Sequence, residues 1–316
     1  MNESREIAIK LFASLLIIGG FLYFFASAPS DFPSNQVLTI PKGASLSSAA
    51  QYLKGQGVVR SATMLELLVR LARKQNSFLS GDYIFSGPQS AFQVAAKLEA
   101  GERGFSLIHV TIPEGSTVAA IGQLLGTGFY RITPDGFVAL ARRQEGYLFP
   151  DTYFLQANVT PANVIDRMRA TFDQKILPLQ ADIQKSGHLQ SDVIIMASIL
   201  EAEARTTETR QIVAGILWKR IKLGMPLQVD STLRYVTGRD SSQLTSDDLD
   251  SSSPYNTYRH KGLPPGPIDN PGLEAITDAL HPKATPYLYF LSDANGVMHY
   301  AATFEQHVAN KQKYLK

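Results

Sequence analysis

From Leu11 to Ala28 the chain reads LFASLLIIGGFLYFFASA, eighteen residues without a charge. Ile7, Ala8 and Ile9 extend the apolar stretch, and Lys10 can snorkel its ammonium group toward water. At about 1.5 Å rise per residue, such a helix crosses a hydrocarbon core of roughly 30 Å. Arg5 and Lys10 flank its N-terminal end, and Asp31 is the first charge after it. The positive-inside rule therefore predicts a cytoplasmic N-terminus over residues 1–10, a span over 11–28, and everything later outside. Ala26-Ser27-Ala28 also matches the small-x-small site of a cleaved signal. The apolar run is longer than a usual signal core, which favours an uncleaved anchor. Either way, the body of the chain is exported.

Composition narrows the function classes. The chain has 316 residues, enough for two domains, and a formal net charge of +2. No basic run or zinc-finger spacing points to nucleic acid. Cysteine is absent, which removes disulfides and thiol nucleophiles together. The six histidines are scattered, with no His-Glu-x-x-His pair, so neither a metal nor a cofactor is expected.

Residues 29–35 are rich in proline and serine and read as a linker. Leu38-Thr39-Ile40-Pro41-Lys42-Gly43 follows, then Leu46, Ala49, Ala50 and Leu53 at helical spacing. A close copy comes later: Val110-Thr111-Ile112-Pro113-Glu114-Gly115, then Val118, Ile121, Leu124 and Leu125. Each copy predicts a short strand, a turn and an amphipathic helix opened by Ser or Thr. That order resembles a LysM-type glycan-binding module, chiefly in the second copy. Between the copies, 62–74 and 92–98 read as helices and 81–85 as a strand.

The later part is mainly helical. Residues 162–172, 177–185, 208–222 and 303–314 show amphipathic spacing, while 193–204 (VIIMASILEAEA) is apolar on all sides and predicts a buried helix. Residues 287–291 and 298–300, around Asp293-Ala294-Asn295-Gly296, predict a hairpin. The expected class is α+β: a transmembrane helix, a LysM-like strand-helix subdomain within 36–143, and a mainly helical domain over 144–316 with a small β-element.

The buried helix ends in Glu201 and Glu203. Residues two apart on a helix point to nearly opposite sides, so the two cannot act as a close pair. A carboxyl at the rim of an apolar helix is desolvated and holds its proton, as a general acid for glycosidic cleavage must. Spacing does not choose between them. Arg205, four residues after Glu201, could hold it as an ion pair, whereas Glu203 has no such partner.

A second candidate element is the stretch from Ser253 to Gly272, SPYNTYRHKGLPPGPIDNPG. Its prolines and glycines fix the path of the chain while Tyr255, Asn256, Thr257, Tyr258 and Asn270 supply polar and stacking groups. A rigid loop of this kind suits the wall of a polar-substrate cleft.

These pieces resemble the endolytic murein transglycosylase (YceG-like) family, from the membrane anchor to the C-terminus. The resemblance is carried by EGYLFPDTY (145–153), ASILE (197–201), LQVDST (227–232), the loop 253–272, and His281-Pro282 with Tyr287-Leu288-Tyr289-Phe290. It implies a bitopic inner-membrane enzyme, its catalytic domain in the periplasm, that cuts nascent peptidoglycan strands internally beside peptidoglycan synthases. The family's catalytic glutamate aligns with Glu201. Substrate contacts are expected from Glu145, Tyr147, Asp151, Gln228, Asp230, Tyr255, Asn256 and Tyr258, with Tyr153 as a further sugar-stacking face. The chain departs from the family pattern at Ala202, where lysine is usual, and at Ser231, where proline is usual. Two rivals stand beside this reading. A water-using muramidase would need a second carboxylate, for which Asp230 or Asp151 is the candidate. A non-catalytic glycan-binding protein would need none.

Overall fold

The structure, a computed structural model, describes residues 2–71, 80–101, 104–240 and 243–315. The chain forms two compact units, Met1–Ser106 and Leu107–Lys316. The second unit thus includes 107–143, which the sequence reading grouped with the N-terminal region. The reason is strand pairing: Leu107–Thr111 has its partner at Thr152–Gln156.

In the first unit, helix α1 (Asn2–Ala26) contains an 18-residue window, Ile9–Ala26, of mean hydropathy 2.0. It is long and apolar enough to cross a membrane. Strand β1 (Val37–Ile40), helices α2 (Leu46–Gly55) and α3 (Ala62–Leu71), strand β2 (Gly81–Ile84) and helix α4 (Ala91–Ala100) follow. The end of the helix expected at 62–74 lies outside the described residues. β1 and β2 are antiparallel, with Leu38 opposite Tyr83 and Thr39 opposite Asp82. Ser45 caps α2 by accepting the Ser48 N–H, and Ser90 forms a capping box with Gln93 at α4. Leu38, Ile40, Leu53, Leu65, Tyr83, Phe85, Val94 and Leu98 close one core.

The same order then recurs. Strand β3 (Leu107–Thr111), helices α5 (Val118–Gly128) and α6 (Pro134–Ala141), strand β4 (Thr152–Gln156) and helix α7 (Pro161–Ile176) build a second β-α-α-β-α block. Again the strands are antiparallel, with Val110 opposite Tyr153 and Thr111 opposite Thr152. Thr117, Thr133 and Thr160 cap the three helices. Val110, Ile121, Leu125, Phe137, Leu148, Tyr153, Val164 and Met168 form its core.

The remainder packs around helix α9. After α8 (Gln180–Ser186) come α9 (Gln190–Glu203), α10 (Thr207–Lys222), α11 (Asp230–Thr237), α12 (Ser246–Leu249) and α13 (Leu273–Leu280). A hairpin of β5 (Tyr289–Ser292) and β6 (Met298–Ala301) and a last helix, α14 (Phe304–Tyr314), complete the chain. Eight successive residues of α9, Val193 to Leu200, are buried, as its all-round apolar sequence predicts. α10 and α13 are tied by Arg210, whose Nε donates to Asp278 Oδ2 at 2.7 Å and whose Nη2 donates to Glu274 at 2.6 Å. The class is α+β, with three separate two-stranded sheets among the described residues.

Candidate active site

Helix α9 stops because Ala204 turns extended, at φ −144° and ψ 138°. Glu201 and Glu203 therefore sit in the last helical turn and leave it in different directions. Glu201 Oε2 accepts the N–H of Gly272 at 3.0 Å. Glu203 Oε1 accepts the N–H of Ser231 at 3.4 Å and lines a different cavity, of about 830 Å³, with Asp230, Tyr258, Gln228 and Arg220. Arg205 lies beyond the helix end and is exposed, and no ion pair joins it to Glu201. The pairing that spacing allowed is thus cancelled by the termination of the helix.

On the Glu201 side, the turn after β3 meets the proline-rich loop. Gly115 N–H donates to Asn270 O at 2.9 Å, and Asn270 N–H donates to Ser116 O at 3.1 Å. Gly115 has φ +72°, a left-handed conformation that favours glycine. A Cβ added there would stand 3.4 Å from Glu201 Cγ and 3.8 Å from Asp269 Oδ2. A Cβ at Gly272 would meet the Glu114 carboxyl, the far end of an exposed side chain, at 2.0 Å. The side chain of Asn270 is fully buried and fully used. Its Oδ1 accepts from Leu148 N–H at 2.9 Å, while its Nδ2 donates to Ser116 O at 2.8 Å and Glu145 Oε1 at 3.0 Å. Ser198, inside α9, fixes the loop two residues before Asn270 by accepting the Ile268 N–H at 3.1 Å.

These contacts frame a cavity of about 460 Å³ whose wall includes Gly115, Glu145, Ser231, Arg234, Tyr235 and Asp269. Three acids at this end of the molecule hold their protons above the ordinary carboxylate range. Burial pushes Glu145 up to about 7, against the N–H of Val118 and the Tyr235 and Asn270 hydrogen bonds that favour its charge. Glu201 is raised by burial, opposed by the Gly272 N–H, with Glu114 and Glu274 adding to the rise and Arg210 opposing it. Asp269, only 4% exposed, is raised well above its usual value by burial and then by the negative charges of Glu201 and Glu145. Across the helix, burial also raises Glu203.

The expected site residues separate into groups. Glu145 is in the 460 Å³ wall, but its carboxyl also caps α5 by accepting the Val118 N–H at 3.0 Å. Tyr255 is half-buried, its ring 5.1 Å from that of Tyr235. Tyr147 is half-buried against Phe172 and under the Arg169 guanidinium. Gln228, Asp230 and Tyr258 belong to the 830 Å³ cavity on the Glu203 side, where Tyr258 Oη donates to Asp230 at 2.5 Å. Asp151 is exposed, pairs with Lys175 at 3.8 Å and lies in a third depression. Neither Asp151 nor Asp230 is among the charges that act on Glu201.

Asn256 corrects its expectation. It is fully buried, donates to Leu249 O and Ser251 O at 2.8 Å each, and accepts the Tyr258 N–H at 3.0 Å. It braces the loop rather than facing a cleft. Tyr153, buried with its hydroxyl on Phe149 O, is likewise a core residue. Asp269, Glu114, Arg234 and the bracing role of Asn270 were not picked out from sequence. The repeated Pro-x-Gly turn held a signal for Glu114: it is the one position of that motif where the two copies differ in charge sign.

Comparison with known proteins bears on this arrangement. The family model described as the YceG-like family matches residues 38–313. A Bacillus subtilis protein named endolytic murein transglycosylase is 29% identical, over 95% of this chain and 91% of its own length. A Streptococcus pneumoniae protein of the same name is 28% identical over 98% of this chain, which spans 65% of that longer protein. A crystallised yceG-like protein from Listeria monocytogenes superposes with a TM-score of 0.59 at 28% identity, over 87% of this chain and 99% of that one. With the match running through β1, the Glu114 turn, the end of α9 and the proline-rich loop, this chain belongs to the YceG-like family.

Proposed function

We propose that this chain is an endolytic lytic transglycosylase of peptidoglycan, with Glu201 as its catalytic acid and base. The observation that carries the reading is the environment of Glu201: a desolvated carboxyl at the end of a buried helix, held by one backbone N–H. The names of the Bacillus and Streptococcus relatives support the same activity. Protonated Glu201 gives its proton to the oxygen between N-acetylmuramic acid and N-acetylglucosamine as the C1–O bond breaks. The resulting carboxylate takes the proton of the muramic acid 6-hydroxyl while that oxygen bonds to C1. The products are a free 4-hydroxyl and a 1,6-anhydro end, with no water consumed. Such cuts within nascent strands limit their elongation.

In this reading residues 1–10 are cytoplasmic, α1 is an uncleaved single anchor, and residues 29–35 tether the exported body at the outer face of the inner membrane. Catalysis belongs to 144–316, with Glu114 and Gly115 contributed by the preceding region. The strand-turn-helix units within 36–143 hold glycan in the manner of LysM modules, and Tyr147, Tyr255 and Tyr258 offer faces to sugar rings. Gln228 and Asp230 contact the strand on the Glu203 side. Peptidoglycan synthases are the partners.

Glu201→Gln keeps shape and removes the transferable proton, so cleavage should fall by roughly 10²–10⁴-fold with folding intact. Glu203→Gln, on the other side of the helix, should retain measurable cleavage. The reverse pattern would reassign the acid, and full activity in both variants would remove the single-acid mechanism.

A further inference from the structure

The outer end of α1 is built into the first unit. Ala26 and Phe32 are each 8% exposed. Phe32 belongs to the core that Leu38 and Phe85 help to close, its ring 5.7 Å from that of Phe85 and edge-on to it. Asn35 N–H donates to Phe85 O at 2.7 Å. Residues 29–35, whose composition reads as a linker, thus join the span to the first core with little freedom. With α1 in a bilayer, the side chains around Ala28 lie at the outer headgroup layer.

One of these is Arg60, just before α3 and partly exposed. Its Nη2 donates to Ala28 O at 3.0 Å, and its guanidinium carbon lies 4.5 Å from the centre of the Phe24 ring. The bond to Ala28 is its one hydrogen bond among the described residues, and no carboxylate there pairs with it. Phe24 is half exposed and falls inside the apolar window Ile9–Ala26. Two residues from the end of that window correspond to about 3 Å along a helix. Arg60 therefore brings an unpaired cation to the edge of the hydrocarbon core, where a charge is unfavourable unless a partner meets it. Lipid phosphates lie at that depth, and a guanidinium matches a phosphate in charge and in geometry. Phe21, also exposed, lies three residues before Phe24 and so on the same side of α1.

We propose that Arg60 and the outer end of α1 form a phospholipid site, in which the guanidinium binds the lipid phosphate and an acyl chain lies along Phe24 and Phe21. The site rests on the reading of α1 as an uncleaved anchor. It holds one face of the first unit against the membrane instead of leaving the unit to swing on a tether.

The test titrates the full-length parent, Arg60→Ala and Arg60→Lys in mild detergent with phosphatidylglycerol and, separately, with a phosphate-free diacylglycerol glycolipid. Bound lipid is counted by native mass spectrometry. With phosphatidylglycerol, Arg60→Ala should raise the concentration for half-occupancy about tenfold, the size of one lost charge-assisted hydrogen bond. Arg60→Lys keeps the charge without the planar fork and should raise it about threefold. With the glycolipid the three proteins should bind alike. Inorganic phosphate at the same concentration should not displace the phospholipid, because it lacks the acyl contact.

Equal half-occupancy in the parent and Arg60→Ala would overturn the site, as would an equal loss on the glycolipid or displacement by inorganic phosphate. Alkaline extraction of vesicles checks the anchor separately. A parent released from them, or one with a mature N-terminus near Pro29, fails the anchor reading and the site with it. A parent that stays inserted while Arg60→Ala binds phosphatidylglycerol equally well removes the site alone.

Discussion

The molecule contains one architecture twice, and the second copy supplies part of the candidate site. In both, a strand ending in Thr-Ile-Pro leads into a left-handed glycine, Gly43 at φ +83° and Gly115 at φ +72°. In both, a Ser or Thr caps the next helix, and the paired strand places a buried tyrosine, Tyr83 or Tyr153, opposite an apolar partner. The difference is at the turn. A Cβ at Gly43 would meet nothing within 4 Å, whereas one at Gly115 would come into ordinary van der Waals contact with Glu201 Cγ at 3.4 Å and Asp269 Oδ2 at 3.8 Å. Lys42 in the first copy and Glu114 in the second are both exposed, and the Glu114 carboxyl lies beside Gly272. One backbone solution thus closes a core in the first unit and forms a wall of the candidate site in the second. Shared local sequence specifies the block; what docks on its turn specifies its use.

The paired glycines allow the sharpest test of that contrast. Gly43→Ala and Gly115→Ala should cost similar stability, about 1–2 kcal/mol each for a left-handed alanine. Only Gly115→Ala should also lose turnover, by up to about 10²-fold if relief of its left-handed strain moves the turn beside Glu201 by about 1 Å. Equal turnover in the two variants would break the comparison.

Asn270→Ala comes next in size. It strands the buried Leu148 N–H and frees Glu145 and Ser116, so the unfolding free energy of the second unit should drop by about 2–4 kcal/mol in a denaturant titration. No change would mean that the turn and the loop are held together by something else.

The smallest effect is one of pH. Glu145 has a folded pKa of about 7 against an ordinary 4.5, so between those values the folded chain binds more protons than the unfolded one. The contribution of Glu145 to stability is therefore fully present below about pH 4.5 and is lost as pH rises through about 7. Glu145→Gln should flatten that decline in melting temperatures taken across this window, while a change on the face of the first block should leave it intact. A slope unaltered by Glu145→Gln would show that its carboxyl is already ionised in the folded protein.

Much of this was legible in sequence for physical reasons that differ by element. The buried α9 was visible because seven of the eight residues from Val193 to Leu200 are apolar, which excludes an amphipathic surface helix. The duplicated turn was visible because Pro-x-Gly is locally prescribed. Strand β4 was missed although its residues alternate between exposed and buried, since it follows Pro150-Asp151 inside a motif dominated by turn signals. α11 and α13 have only eight residues each, too short for periodicity to speak, and α13 begins straight after the proline-rich loop. Of the candidate site, Glu201 was singled out through its helix and the family resemblance. Asp269 was not, because nothing in Ile268-Asp269-Asn270 reveals that the middle side chain is buried beside another carboxyl. Asn256 was misread because a polar residue between prolines looks the same whether it faces a ligand or ties the loop to itself.

The central claim is that Glu201 works alone as acid and base and that the sugar's own hydroxyl, not water, attacks C1. Mass spectrometry of the ends released from purified glycan strands by the full-length protein tests this most directly. The account predicts 1,6-anhydro ends, lighter by one water than hydrolysis products, and their loss in Glu201→Gln. Hydrated reducing ends from the parent, or anhydro ends still formed at the parent rate by Glu201→Gln, would contradict it.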